Sequence, residues 1–152
     1  MYTGMLHLHS YLRWIILLLL LIVVFRSLTA GNRPFNAADK RYGLFTLIAC
    51  DTMLLIGLYL WLTGAYGVHN IESQPMKDIM ANKVTRFFTI EHLTGMIIAI
   101  ALVHVGRAVG KKNLPDTVKH KRTLIFFGLA LLIILISIPW PFREVGAGRG
   151  WF

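Results

Sequence analysis

The side chains most able to ligate a metal or move a proton in this sequence are histidines, acids and arginines set inside long apolar runs. TRFFTIEHLTGMIIAIAL (85–102) carries Glu91 and His92 about one turn into such a run; His7, His9 and Arg13 stand in an earlier one, Asp51 in the next, and His104 further along the same run as His92. Ionisable groups in apolar spans are rare, almost always face a bundle interior, and are functional candidates by default. One imidazole from each of two helices would fill both axial positions of a haem iron, which suits electron transfer because oxygen is excluded.

Depth pairs two of these residues. His9 lies about three and His92 about five residues past the outer ends of their runs, a few ångströms apart at roughly 1.5 Å per residue, so the two are expected to face one another. His7 is about 200° around the helix from His9 and is not expected to address the same centre. His92, Gly95, Ala99 and Gly106 share a face at i, i+3, i+7 and i+14. That smooth strip admits either a flat ligand or a neighbouring helix. Arg13, one turn beyond His9, and Arg86, at the mouth of the third run, are candidates for holding haem propionates, with snorkelling to the interface as the competing account. Glu91 points about 100° away from His92 and would orient a ligand or bond a partner rather than coordinate. Asp51, near mid-span, needs a cationic or hydrogen-bonding partner, which His104 or Arg107 could supply as part of a polar or proton relay. His104 with His120 is a candidate second haem site, against a plain surface position for His120 in the basic run VKHKR.

The elements that must position these groups are membrane spans. The 152 residues are 56% hydrophobic and 15% charged, with a mean hydropathy of +0.62, too apolar for a water-soluble domain. Four segments, about 6–25, 42–62, 87–108 and 124–140, approach the roughly 20 residues that cross a bilayer. Runs such as WIILLLLLIVVF are apolar on every face, which excludes the alternation of a transmembrane strand. The expected fold is therefore an all-α integral membrane protein, a single membrane domain over 1–152 built as an antiparallel four-helix transmembrane bundle. Ala30-Gly31 could be mistaken for a signal cleavage site, but a basic n-region is missing and Arg26 follows the apolar core directly, so 6–25 is read as a true span. The longest connection, Thr63–Arg86, is expected to hold a short surface helix opened by Ser73 and Pro75.

Loops 1–2 and 3–4 carry ten basic residues and the opposite side six: Arg13, Lys77, Lys83, Arg86, Arg143 and Arg149. The richer side is expected in the cytoplasm, with both termini outside. Juxtamembrane placement accounts for most of the +9 net charge through topology and anionic lipid, which argues against nucleic-acid binding. Trp61, Trp140 and Trp151 read as interfacial anchors. The lone Cys50 excludes an internal disulfide and a Cys-x-x-Cys pair, and no phosphate loop, His-Glu-x-x-His or nucleophile elbow supports a hydrolase or nucleotide enzyme.

The segments LHSYLRW, RFFTIEHLTGM, KHK and IPWPFR, spread over nearly the whole chain, resemble a group of small bacterial four-span membrane proteins that carry a cytochrome b label. The resemblance implies a bacterial inner-membrane protein holding non-covalent haem b and passing electrons, with a quinone or another redox membrane protein as partner. His9, His92 and His120 match histidines of that group. Asp51 departs from it, standing where members tend to have a histidine, so a centre in that half of the bundle would be absent or altered.

Two other classes remain. A structural or accessory subunit of a larger respiratory or transport complex, homo- or hetero-oligomeric, would need the same spans and use its polar residues on partners. A copper-handling protein would use Met5, His7 and His9 with Met96, soft thioethers and imidazoles that suit Cu(I).

Overall fold

The computed structural model describes residues 1–152 apart from Ala147, Arg149 and Phe152; Arg149, counted above among the outer basic residues, thus lies outside the described residues. Among the described residues, four helices are long and apolar enough to cross a membrane. Helix α1 is Tyr2–Leu28 and α2 is Ala37–Thr63. Two short helices follow, α3 (Val68–Ser73) and α4 (Met76–Ala81), where the sequence suggested one; Pro75 stands at the N-cap of α4. Then α5 (Lys83–Arg86), a π-helical turn (Phe87–Glu91) and α6 (His92–Val109) run on as one rod, and α7 is Asp116–Ser137.

The start of α2 lies ahead of its apolar run because a cap sets it. At the start of α2, Asn36 Oδ1 accepts from the backbone N–H groups of Ala38 and Asp39, at 3.0 and 3.2 Å. The Asp39 carboxylate accepts from Asn36 N–H at 3.0 Å, completing a capping box. That buried carboxylate also takes Arg26 at 2.9 Å and Arg33 at 2.7 Å, tying the end of α1 to the start of α2.

Helix α1 packs against α2 and α7, and α6 packs against the same two, so the four long helices close a ring around Leu20, Val103, Ala99, Ala130 and Phe127. The outward face is apolar as well: Ile15, Leu18, Leu21, Leu55, Ile97, Leu132 and Ile136 are exposed, far more apolar exterior than a water-facing surface carries. The glycine strip of α6 serves helix packing. A Cβ on Gly106 would lie 2.6 and 2.7 Å from carbons of the Phe127 ring, and one on Gly95 would collide with Ser137.

The end of α7 is shaped by SIPWPF (137–142). In a continuing helix the carbonyls of Leu135 and Ser137 would accept from residues 139 and 141, but both are prolines without an N–H. Side chains meet the carbonyls left open in this last turn: Trp140 Nε1 bonds that of Leu135 at 2.8 Å, Arg143 bonds that of Ile136, and His92 bonds that of Ser137 at 2.7 Å, while the Ile138 carbonyl accepts from the Trp140 backbone N–H at 2.9 Å as well as from Arg143. Every one of these orphan carbonyls is thus satisfied internally, as an apolar surrounding demands.

Gly106→Ala should destabilise the chain by about 1–3 kcal/mol, the usual cost of overpacking, whereas Gly128→Ala, where nothing lies within 4 Å, should be neutral or slightly stabilising. Thermal unfolding in detergent followed by circular dichroism checks both; equal stabilities would contradict the α6–α7 packing.

Candidate functional site

A cavity of about 340 Å³ opens between the long helices near the His9 and His92 level. Its walls are mostly apolar, with Met53, Leu54 and Gly57 from α2, Met96 and Ile100 from α6, and Ile138 just past α7. Into it reach His9 and Arg13 of α1 and His92 of α6. The two histidines stand on helices that sit across the ring from each other, yet their ring centroids are 6.2 Å apart, with the planes inclined at 64°.

The π turn gives His92 its position. His92 N–H bonds Phe87 O, five residues back, and the extra residue rotates all that follows relative to α5; such turns recur at functional sites. It is braced from α2, since Trp61 Nε1 donates to the Thr89 carbonyl at 3.0 Å, and from the following loop, since Thr89 Oγ1 donates to the Tyr66 carbonyl at 2.9 Å. Phe87 and Phe88 flank the imidazole. Because the Ser137 carbonyl can only accept, the proton must sit on His92 Nδ1, which leaves Nε2 with a free lone pair. A ring nitrogen donating to a backbone carbonyl while the other stays free is how metal-ligating histidines are oriented.

His9 is held by absence of bulk. A Cβ on Gly57 would come within 3.2 Å of His9 Cε1, so glycine lets the ring lie against α2. His9 Nδ1 is buried without a hydrogen-bond partner, a costly state in a native site. With ring centres 6.2 Å apart, the two imidazoles are close enough for both to hold one metal ion. Apolar walls, an unsatisfied imidazole and an oriented one fit a haem held by two histidines. Arg13 adds the positive charge that a propionate would need: it bonds the Trp151 carbonyl, lies 5.2 Å from the Trp14 ring centre, and keeps Nε buried and unpartnered.

Other candidates lie elsewhere. Arg86 pairs with Glu91 at 2.6 Å and donates to the Met80 carbonyl at 2.9 Å, facing a smaller recess with Arg143 and Glu144. Its guanidinium and the Glu91 carboxylate therefore partner one another, and neither residue lines the cavity that holds His9 and His92. Gly95 faces α7 and does not line the cavity. Asp51 bonds His104 Nε2 at 2.8 Å on the outside of the ring. His120 is buried instead of surface-placed, its Nε2 donating to the Arg33 carbonyl at 3.1 Å and its ring 5.0 Å from Phe35. His104 and His120 therefore serve separate local contacts and form no second pair. His7 is exposed but reaches the cavity rim, and Met96 lines the wall while Met5 does not. Among the described residues no three His, Cys, Asp or Glu side chains converge as metal ligands. Trp61, read as an anchor, belongs to the cavity wall.

Sequence reasoning missed Gly57, the π turn and the Ser137 carbonyl. The paired prolines 139 and 141 were the available signal for the last, since they release carbonyls that some donor must meet. No family model, curated protein or solved structure matches the chain.

In histidine-labelled, haem-free protein, nitrogen NMR should show His92 as the Nδ1–H tautomer with an unprotonated Nε2. An Nε2–H tautomer would contradict the bond to Ser137.

Proposed function

We propose that this chain is a b-type cytochrome of the bacterial cytoplasmic membrane, its four spans antiparallel and both termini outside, with non-covalent haem b held between His9 and His92. Its role is to pass electrons from a membrane donor such as a quinol to an acceptor on the outer side. The observation that carries this reading is the facing pair: two imidazoles from opposite helices, 6.2 Å apart at the wall of one apolar cavity, one of them oriented through Nδ1 by the Ser137 carbonyl. The excess of basic residues in loops 1–2 and 3–4 supports the orientation, and the apolar exterior supports immersion in lipid.

When bound, haem supplies reversible one-electron transfer with no covalent change in the protein. The chain's own residues do the rest. His9 and His92 would hold the haem iron between them and so leave no open place on it for oxygen. Met53, Leu54, Met96 and Ile100 exclude water and, through burial, bear on the potential. Arg13 offers a positive charge at the cavity edge. The pairing of Arg86 with Glu91 cancels two charges near the outer end of α6 without touching the histidines.

A reduced-minus-oxidised visible spectrum of the detergent-purified chain, with a pyridine haemochrome assay, tests the reading. A low-spin b-type signal at stoichiometric haem should appear; His92→Ala and His9→Ala should each abolish or strongly shift it, while His7→Ala and His104→Ala should leave it intact. Colourless protein, even after expression with added haem, would overturn the cytochrome reading in favour of an accessory subunit, and an unchanged spectrum in both ligand variants would overturn the pairing.

A further inference from the structure

The Asp51–His104 pair lies outside the ring that the four long helices close. It bridges α2 and α6 at 2.8 Å, with 43% of the Asp51 side chain and 51% of the His104 side chain exposed. Ionisable groups deep in a span almost always face a bundle interior or a water-filled space, and this pair faces neither within one chain. The surrounding surface is regular. On α2, Ile48, Thr52 and Leu55 are exposed around Asp51, and on α6, Ala101, Val105 and Ala108 are exposed around His104. Each set has the i, i+3, i+4, i+7 spacing of one helical stripe. Two parallel stripes thus carry an ionisable residue at their centres, and the small residues of α6 permit close approach by another helix.

We propose that this α2/α6 face is a two-fold interface at which a second copy of the chain covers the Asp51–His104 pair. The occupant follows from the hydrogen-bond inventory. His104 Nε2 already bonds Asp51 Oδ1, which leaves Asp51 Oδ2 and His104 Nδ1 each able to make one further hydrogen bond. The hydroxyl of Thr52 is spent on the carbonyl of Ile48 at 2.8 Å and does not compete. A two-fold contact sets the same patch against itself, so the free carboxyl oxygen of each patch stands opposite the free ring nitrogen of the other. Asp51 Oδ2 of each copy pairs with His104 Nδ1 of the other through one shared proton, closing a hydrogen-bonded ring of two carboxyl groups and two imidazoles. A different subunit would have to supply both groups by separate design. The inference is independent of haem.

The test measures the protein mass of the purified chain in mild detergent by light scattering, together with cysteine cross-linking in the native membrane. The wild type should run at twice the 17.3 kDa chain mass. Asp51→Leu/His104→Leu removes both polar groups at once and leaves no unpaired charge to unfold the protein. It should keep its helix content while the dimer dissociation constant rises about tenfold or more. In a Cys50→Ser background, Val105→Cys should cross-link to itself and Leu132→Cys, on the exposed face of α7, should not. A wild type that is monomeric and does not cross-link, as when another subunit covers this face, overturns the proposal, and so does a double variant that dimerises as well as the wild type.

Discussion

The carbonyl of Ser137 has no backbone donor to meet it, and much of the site follows from that. In an apolar surrounding a backbone carbonyl cannot turn to water, and an unpaired one costs about 1–3 kcal/mol even by the measure of ordinary protein interiors. Pro139 and Pro141 ensure that the last turn of α7 ends in such carbonyls. Trp140 and Arg143, close by in sequence, satisfy those of Leu135 and Ile136. The third, that of Ser137, is met by His92 from α6, and this bond fixes which nitrogen of His92 is free and joins the start of α6 to the end of α7.

The opposite histidine is governed by space rather than by a bond. Gly57 permits the His9 ring to lie against α2, and its Nδ1 stays buried and unpartnered. One imidazole is therefore satisfied and aimed, and the other is confined and unsatisfied. Burying His9 in that state is unfavourable by itself, since a buried polar group without a partner loses its solvation for nothing. A ligand held at that imidazole would recover the loss. The π turn belongs to the same design, because it sets the rotation of His92 and is itself held by Trp61 and Tyr66. Glycines 95 and 106 let α6 approach α7 closely enough for the Ser137 bond to form.

What the sequence revealed and what it hid divide along physical lines. Spans were legible because hydrophobicity is additive along a helix: WIILLLLLIVVF needs no tertiary information to be recognised. The pairing of His9 with His92 was legible because depth along a span is simple arithmetic. Rotation about the helix axis was much less so. The π turn shifts rotation without any marker in FFTIE, so spacing could not show that Glu91, expected to orient a ligand or bond a partner, has Arg86 as its partner. Gly95 was correctly placed on a small-residue face, but which neighbour fills that face depends on α7, whose approach is a tertiary fact. His120 looked like a surface residue of VKHKR because its burial comes from Phe35, a residue far off in the chain.

The most direct measurement is the low-temperature electron paramagnetic resonance spectrum of the oxidised, haem-loaded chain. It reports the axial ligands of the iron without reference to colour or sequence. Two imidazoles at the His9–His92 site should give a low-spin ferric signal accounting for all the bound haem. A high-spin ferric signal, the mark of an iron with an open axial position, would contradict ligation by this pair.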